Sequence, residues 1–238
     1  MAFPVVQIVT GTQFATNTTS HDVNMPATVA SGDLLLTFVC SSRSTDNPHS
    51  YTTPSGWTQV FQEINAGNSL ARVTFGAWAR VAVGNEDGQT FDWVSDHAVA
   101  ACAEVFRIDG WTQNVLDVRA AAQQRTTSIG NPDPPFLGIN WVGDTLWIAA
   151  CGNGDDDIAV TGAPTDYDEL RSLITGAGVN DGASIGTARR SLANERSQDP
   201  GTFSLASGET GVTATLAIRP VGALNVGGVV MNRRRRRV

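Results

Sequence analysis

Apolar positions along this chain recur mostly at period two. Val73, Phe75, Ala77, Ala79, Val81 and Val83 fall on one side of an extended backbone, and Thr74, Trp78 and Arg80 fall on the other. Alternation of this kind predicts a strand with one buried face and one polar face. Val5–Val9, Asp33–Cys40, Thr90–Val94 and Ala98–Ile108 are further apolar or alternating stretches, bounded by Gly, Pro, Asn and Asp. The later part of the chain repeats the layout over Val115–Ala121, Asp144–Cys151, Ser184–Leu192, Gly201–Leu205 and Gly211–Arg219. Between them lie turn signals such as Asn85-Glu86-Asp87-Gly88, where glycine is free to take a positive φ. One segment breaks the pattern. Tyr167, Leu170 and Ile174 have helical spacing, and Asp166 and Glu169 stand like a capping box, so Asp166–Ile174 is predicted to hold a helical turn.

The chain also repeats itself. Gly32-Asp33-Leu34-Leu35-Leu36, running to Cys40, returns as Gly143-Asp144-Thr145-Leu146-Trp147, running to Cys151. Pro54 before Trp57 answers to Pro164 before Tyr167, and Thr90-Phe91 to Thr202-Phe203. A period of about 110 residues is too long for a solenoid unit and implies a duplicated domain. The prediction is an all-β chain of two tandem, duplicated antiparallel β-sandwich modules, residues 1–111 and 112–222, of immunoglobulin-like or jelly-roll topology. The boundary falls near Gly110–Asn114. Asn131-Pro132-Asp133-Pro134-Pro135 lies inside the second module as a rigid entry to a strand. Residues 223–238, rich in Gly and Val and then in Arg, read as an extended C-terminal arm.

Composition narrows the class. Hydrophobic residues at 41% and charged residues at 16% describe a folded chain with material for real cores. No apolar run approaches a membrane span, and Met1-Ala2-Phe3-Pro4 does not open a signal peptide, so no membrane association is predicted. Three cysteines argue against a disulfide framework; Cys40 and Cys151 occupy matching places in the repeats and are predicted to fill the same slot in their own cores. All 16 basic residues are arginine. Five of them sit at Arg233–Arg237, which leaves 11 against 23 acidic residues before them, a net of −12. An acidic body with a basic end is a poor nucleic-acid binder. The arm Arg233, Arg234, Arg235, Arg236 and Arg237 reads first as a grip on an acidic protein surface, another copy of the same body included, with a disordered solubilising tail and a phosphate contact as the alternatives.

Candidate chemistry is sparse. His21, His49 and His97 form no metal-binding pattern and read as surface or turn histidines. Asp155, Asp156 and Asp157 form the best loop for a cation, although they lack the alternating carboxylates of a calcium-binding EF-hand loop. No nucleophile elbow, phosphate-cradling loop or dinucleotide fingerprint occurs, so neither catalytic residues nor a cofactor is predicted. Most of the six tryptophans suit core packing. Trp78, sharing a face with Thr74 and Arg80, and Trp111 are the candidates for stacking on a glycan.

Taken together, Ser31-Gly32-Asp33-Leu34-Leu35-Leu36, Pro54-Ser55-Gly56-Trp57-Thr58 and Ala77-Trp78-Ala79-Arg80-Val81-Ala82 in the first module resemble a family of tailed-phage virion proteins. Gly143-Asp144-Thr145-Leu146-Trp147-Ile148, Asp199-Pro200-Gly201-Thr202-Phe203 and Thr213–Pro220 carry the same resemblance in the second. The likeness spans roughly residues 3–220 and leaves out the arginine arm. It implies a non-enzymatic β-sandwich protein of the virion: a capsid decoration or cement protein that stabilises the shell, or alternatively a tail or head-fibre adhesin for host glycans. The partner it implies is the major capsid protein or another virion protein, with a homotrimer as the expected oligomer.

Overall fold

A computed structural model describes residues 2–43, 48–65, 72–155, 157–177 and 182–226. The first half forms β1 (Val5–Thr18), β2 (Asp22–Asn24), β3 (Leu34–Arg43), β4 (Tyr51–Thr52), β5 (Thr58–Asn65), β6 (Arg72–Val81), β7 (Thr90–Asp92), β8 (Val94–Ser95) and β9 (Val99–Asp109). The second forms β10 (Val118–Ile129), β11 (Leu137–Gly138), β12 (Trp141–Val142), β13 (Asp144–Asp155), β14 (Val160–Gly162), β15 (Asp168–Ile174), β16 (Gly182–Ala193), β17 (Ser197–Gln198), β18 (Ser204–Leu205), β19 (Glu209–Ile218) and β20 (Leu224–Asn225). The protein is all-β, built from antiparallel sheets, as the alternating pattern predicts.

Each half contributes one five-stranded sheet, and the two have corresponding strand orders, β1-β9-β3-β6-β5 and β10-β19-β13-β16-β15. Loop hydrogen bonds correspond as well. Trp93 and Ser95 donate their amides to the carbonyls of His21 and Thr19, as Phe203 and Leu205 do to those of Pro132 and Gly130. Short ribbons, β2–β7 and β4–β8 in the first half and β11–β17 and β14–β18 in the second, stand outside these sheets.

The sandwich forms between the halves. One core combines Leu34, Leu36, Phe38, Phe75 and Phe106 from the first sheet with Leu146, Ile148, Ile185, Leu216 and Ile218 from the second. Phe38 stacks on Phe75 with ring centroids 5.9 Å apart and meets Phe106 edge-on at 5.6 Å. The opposite face of each sheet carries its own smaller core. Leu35, Val39, Trp78 and Trp93 lie in one, and Trp141, Trp147, Cys151 and Phe203 in the other. Strands buried on both faces need apolar residues at nearly every position, which is why Leu34–Cys40 is interrupted only by Thr37.

Local differences from the sequence reading have physical causes. Asp166–Ile174 contains no helical turn. Residues 168–174 form β15, and Asp166 and Glu169 have φ of 63° and 53°, which is incompatible with a capping box. The register slips between Asp168 and Arg171 as it does between Gln59 and Phe61 in β5, so apolar residues three apart mark a bulged strand. Val115–Asp117 is a single 3-10 turn, capped by Asn114 Oδ1 accepting from the Leu116 amide, and the strand begins only at Val118.

Cys40 and Cys151 do not fill the same slot: Cys40 faces the shared core and Cys151 the outer core of the second sheet. The matched motifs are 111 residues apart, an odd number, and one residue of offset exchanges the faces of a strand. The proline-rich stretch crosses the outer face of the second sheet, where Thr213 and Thr215 donate their hydroxyls to the carbonyls of Asp133 and Pro135 at 2.8 and 2.6 Å. Prolines suit that path because they bring no amide needing a partner.

Residues 224–225 do not belong to a free arm. They pair with Trp141–Val142, and the Val226 amide donates to the Asn140 carbonyl. The predicted module boundary is tied down too, since Trp111 bridges Pro220 and the Val221 amide donates to Gly110.

Candidate functional site

Trp78 and Trp111 are buried, at 0% and 3% exposure. Trp78 stands edge-on to Tyr51 and Trp93, and its indole N–H donates to Thr53 Oγ1 at 3.1 Å. Trp111 donates to the Gly32 carbonyl at 2.9 Å. Neither ring presents a face to a sugar, which corrects the glycan assignment. The face shared by Thr74, Trp78 and Arg80 is covered by the first half's own ribbons.

The histidines are corrected as well. His21 and His49 are fully buried, and only His97, 3.0 Å from Asp96 Oδ1, lies at the surface. The ring nitrogens of His21 lie 2.9 and 3.2 Å from the carbonyl oxygens of Trp93 and Val99, tying the sheet to its ribbons. His49 Nε2 lies 2.7 Å from Ser41 Oγ, and burial lowers its pKa to about 4. The ring is therefore neutral at physiological pH.

Asp157 accepts from the amides of Thr175 and Gly176 and from the Thr175 hydroxyl, so its carboxylate organises a turn. Asp156 and the side chain of Asp155 fall outside the described residues, as does Arg233–Arg237. Among the described residues no group of three His, Cys, Asp or Glu side chains is placed to hold a metal ion. The three thiols are free and buried; burial pushes that of Cys151 up to about 11 and raises those of Cys40 and Cys102 well above the usual thiol range. Thiols so far from ionisation are poor nucleophiles.

Two buried charged residues join the sheets, Glu104 by its side chain and Arg125 by its backbone carbonyl. Glu104 of β9 points into the shared core, 1% exposed, where it accepts from Arg171 Nε at 3.1 Å and Thr187 Oγ1 at 2.9 Å. Burial raises its carboxyl pKa, against the opposing pull of Arg171 and Thr187. Arg125 of β10 donates to Asn153 Oδ1 at 2.5 Å and to the Glu209 carbonyl at 3.2 Å, and its own carbonyl accepts from Asn65 of the first half. Between β1 and the β15–β16 edge the rim opens into a cleft of about 550 Å³ lined by Phe3, Val6, Leu146, Asp166, Glu169 and Arg190 among others. Two ion pairs lie in it, Arg189 with Glu169 and Arg190 with Asp166 at 3.5 Å, and Asp168 adds a third carboxylate. Arg189 also donates to the Val6 carbonyl at 3.4 Å. No histidine or cysteine is among the residues lining this cleft. The arrangement can hold the halves together.

Two further carboxylates are locked into turns. Burial opposes ionisation of Glu86, but the amide of Val83, the guanidinium of Arg80 and the amides of Gly84 and Asn85 outweigh it and bring the pKa below the usual range. Asp33 receives Arg107 Nε at 2.6 Å and the Ala30 amide at 2.8 Å.

Sequence reading missed Glu104, although a lone acid within the apolar run Ala98–Ile108 was a usable signal. The contacts of Arg171 and Thr187 with it gave none, because those residues lie 67 and 83 positions away. Comparison with known proteins finds no matching family model, no matching curated sequence and no matching solved structure.

Proposed function

We propose that this protein is a non-enzymatic structural component of a tailed-phage virion, a decoration protein that binds the assembled shell and stabilises it. The observation that supports the reading is that the buried ionic groups serve the fold itself. Glu104 with Arg171 and Thr187, Arg125 with Asn153, Asp33 with Arg107 and Glu86 with its own turn all act as structural fasteners. The sequence motifs that resemble phage virion proteins point the same way. A decoration protein acts by mass action: each copy bound to the assembled shell, and not to its dissociated subunits, shifts the equilibrium toward assembly. With an acidic body and five consecutive arginines, the arm supplies the charge contrast for gripping an acidic neighbour.

Particles lacking the protein should therefore bind it saturably in co-sedimentation. A form ending at Val226 keeps β20 and removes the arginines, and it should bind more weakly, with less dependence on salt. Absence of binding to heads, with attachment to tails or host cells, would refute the decoration role. Equal binding by both forms would remove the arm from the mechanism and leave the decoration role standing.

A further inference from the structure

Four strands end the two main sheets, and β1 differs from the other three. β5 carries Glu63; β10 carries Arg119 and Arg125; β15 carries Asp168, Glu169 and Arg171. Over its 14 residues β1 has no ionisable side chain at all. Edges left unprotected in this way pair readily with other strands, and natural sheets ordinarily guard them with charges, prolines or a covering element. β10 lies along β5, and Gln124 Nε2 donates to Glu63 Oε2 at 3.2 Å, so the edges on that flank guard each other.

On the opposite flank the cleft separates β1 from β15. Among the described residues, side chains reach across it: Arg189 donates to the Val6 carbonyl, Gln13 donates to the Ile174 carbonyl, and Leu173 of β15 sits against Gly11. The register of β1 against β9 is irregular near Val6 and after Phe14 but continuous over Ile8–Phe14. That leaves seven residues of regular edge facing outward. Pro4 guards only the entry to the strand, and Val5 remains 48% exposed.

We propose that the β1 edge pairs antiparallel with β1 of a second copy of this chain, joining two first-half sheets into one ten-stranded sheet across a two-fold axis. Charge favours this occupant. With a net of −12 over residues 1–232, two bodies repel each other on approach, and the uncharged edge is where that repulsion is least. A two-fold pairing sets each edge against its identical counterpart, and with no charges on β1 no like-charge pair is created. This inference does not rest on the virion reading, and it replaces the three-fold assembly implied by the resemblance with a two-fold one.

Sedimentation velocity of the full-length protein in 0.5 M salt, where contacts of the arginine arm are screened, tests it. The expected result is a reversible dimer. The double variant Thr10→Lys with Gln13→Lys should weaken dimerisation by at least about tenfold, as should Thr10→Glu with Gln13→Glu, and an equimolar mixture of the two should dimerise again. Rescue by mixing separates lost pairing from lost folding. In the unmodified protein, amides of residues 8–14 should exchange more slowly as concentration rises through the dimerisation range. A wild-type monomer up to ~100 µM, a trimer, a growing fibre, or a dimer indifferent to both double variants would each overturn the proposal.

Discussion

At the scale of single residues, burial decides roles that residue type leaves open. Trp78 has the sequence setting of a surface aromatic, between Thr74 and Arg80 on alternating positions, yet it fills the core beneath the ribbons. Trp78→Ala should therefore cost about 3–5 kcal/mol of stability, measured by urea denaturation, because it empties a close-packed site. Unchanged stability with loss of glycan binding would contradict this assignment. His49 makes the fold sensitive to acid. Its pKa is about 4 in the folded protein against 6.5 for the free side chain. Between those values the unfolded chain takes up a proton that the folded chain refuses, so stability declines as pH falls from 6.5 toward 4. The loss amounts at most to about 3 kcal/mol. His49→Gln should flatten that part of the stability profile, and an unchanged slope would assign the effect elsewhere.

Among the elements, the approach of one sheet to the other is controlled by small residues on β13. A Cβ built on Gly152 would lie 2.5 Å from the Phe75 ring of the facing sheet. Gly152→Ala should force that ring aside and cost about 1–3 kcal/mol, read from the shift in thermal or urea midpoint. A neutral substitution would mean that the shared core has slack at this point. The strands themselves were largely legible. Val73–Val81 alternates as a strand should, and the stretch from Leu34 to Cys40, apolar at every position but Thr37, marks a strand covered on both sides. Over Asp166–Ile174 the apparent helical period comes from a bulge, which adds one residue to a period of two and so imitates a spacing of three. The charged rim was less legible, because Glu104 meets Arg171 and Thr187 only after the two sheets have been brought together.

For the whole molecule, the consequence of a core shared between halves is cooperativity. If each half enclosed its own principal core, the halves could unfold separately. Here Leu36, Phe38 and Phe75 of one half lose their packing as soon as Ile148, Ile185 and Leu216 of the other depart. Calorimetry should accordingly show one transition, with calorimetric and van't Hoff enthalpies in agreement. Two resolved transitions would show that the halves are energetically independent.

Alternation along a strand is a local property, imposed by the backbone's period of two, so the sequence alone determined that the chain is all-β, where most strands run and where the layout recurs. It distinguished the two faces of each strand without identifying what covers either one. That was decided by tertiary packing. The second half's sheet buries one face of the first, short ribbons bury the other, and side chains such as Trp78, Glu104 and Cys151 take their environments from partners distant in the chain. An offset of one residue is nearly invisible in a motif match, yet it moves Cys151 to the opposite face from Cys40, because only the closed sandwich distinguishes inside from outside.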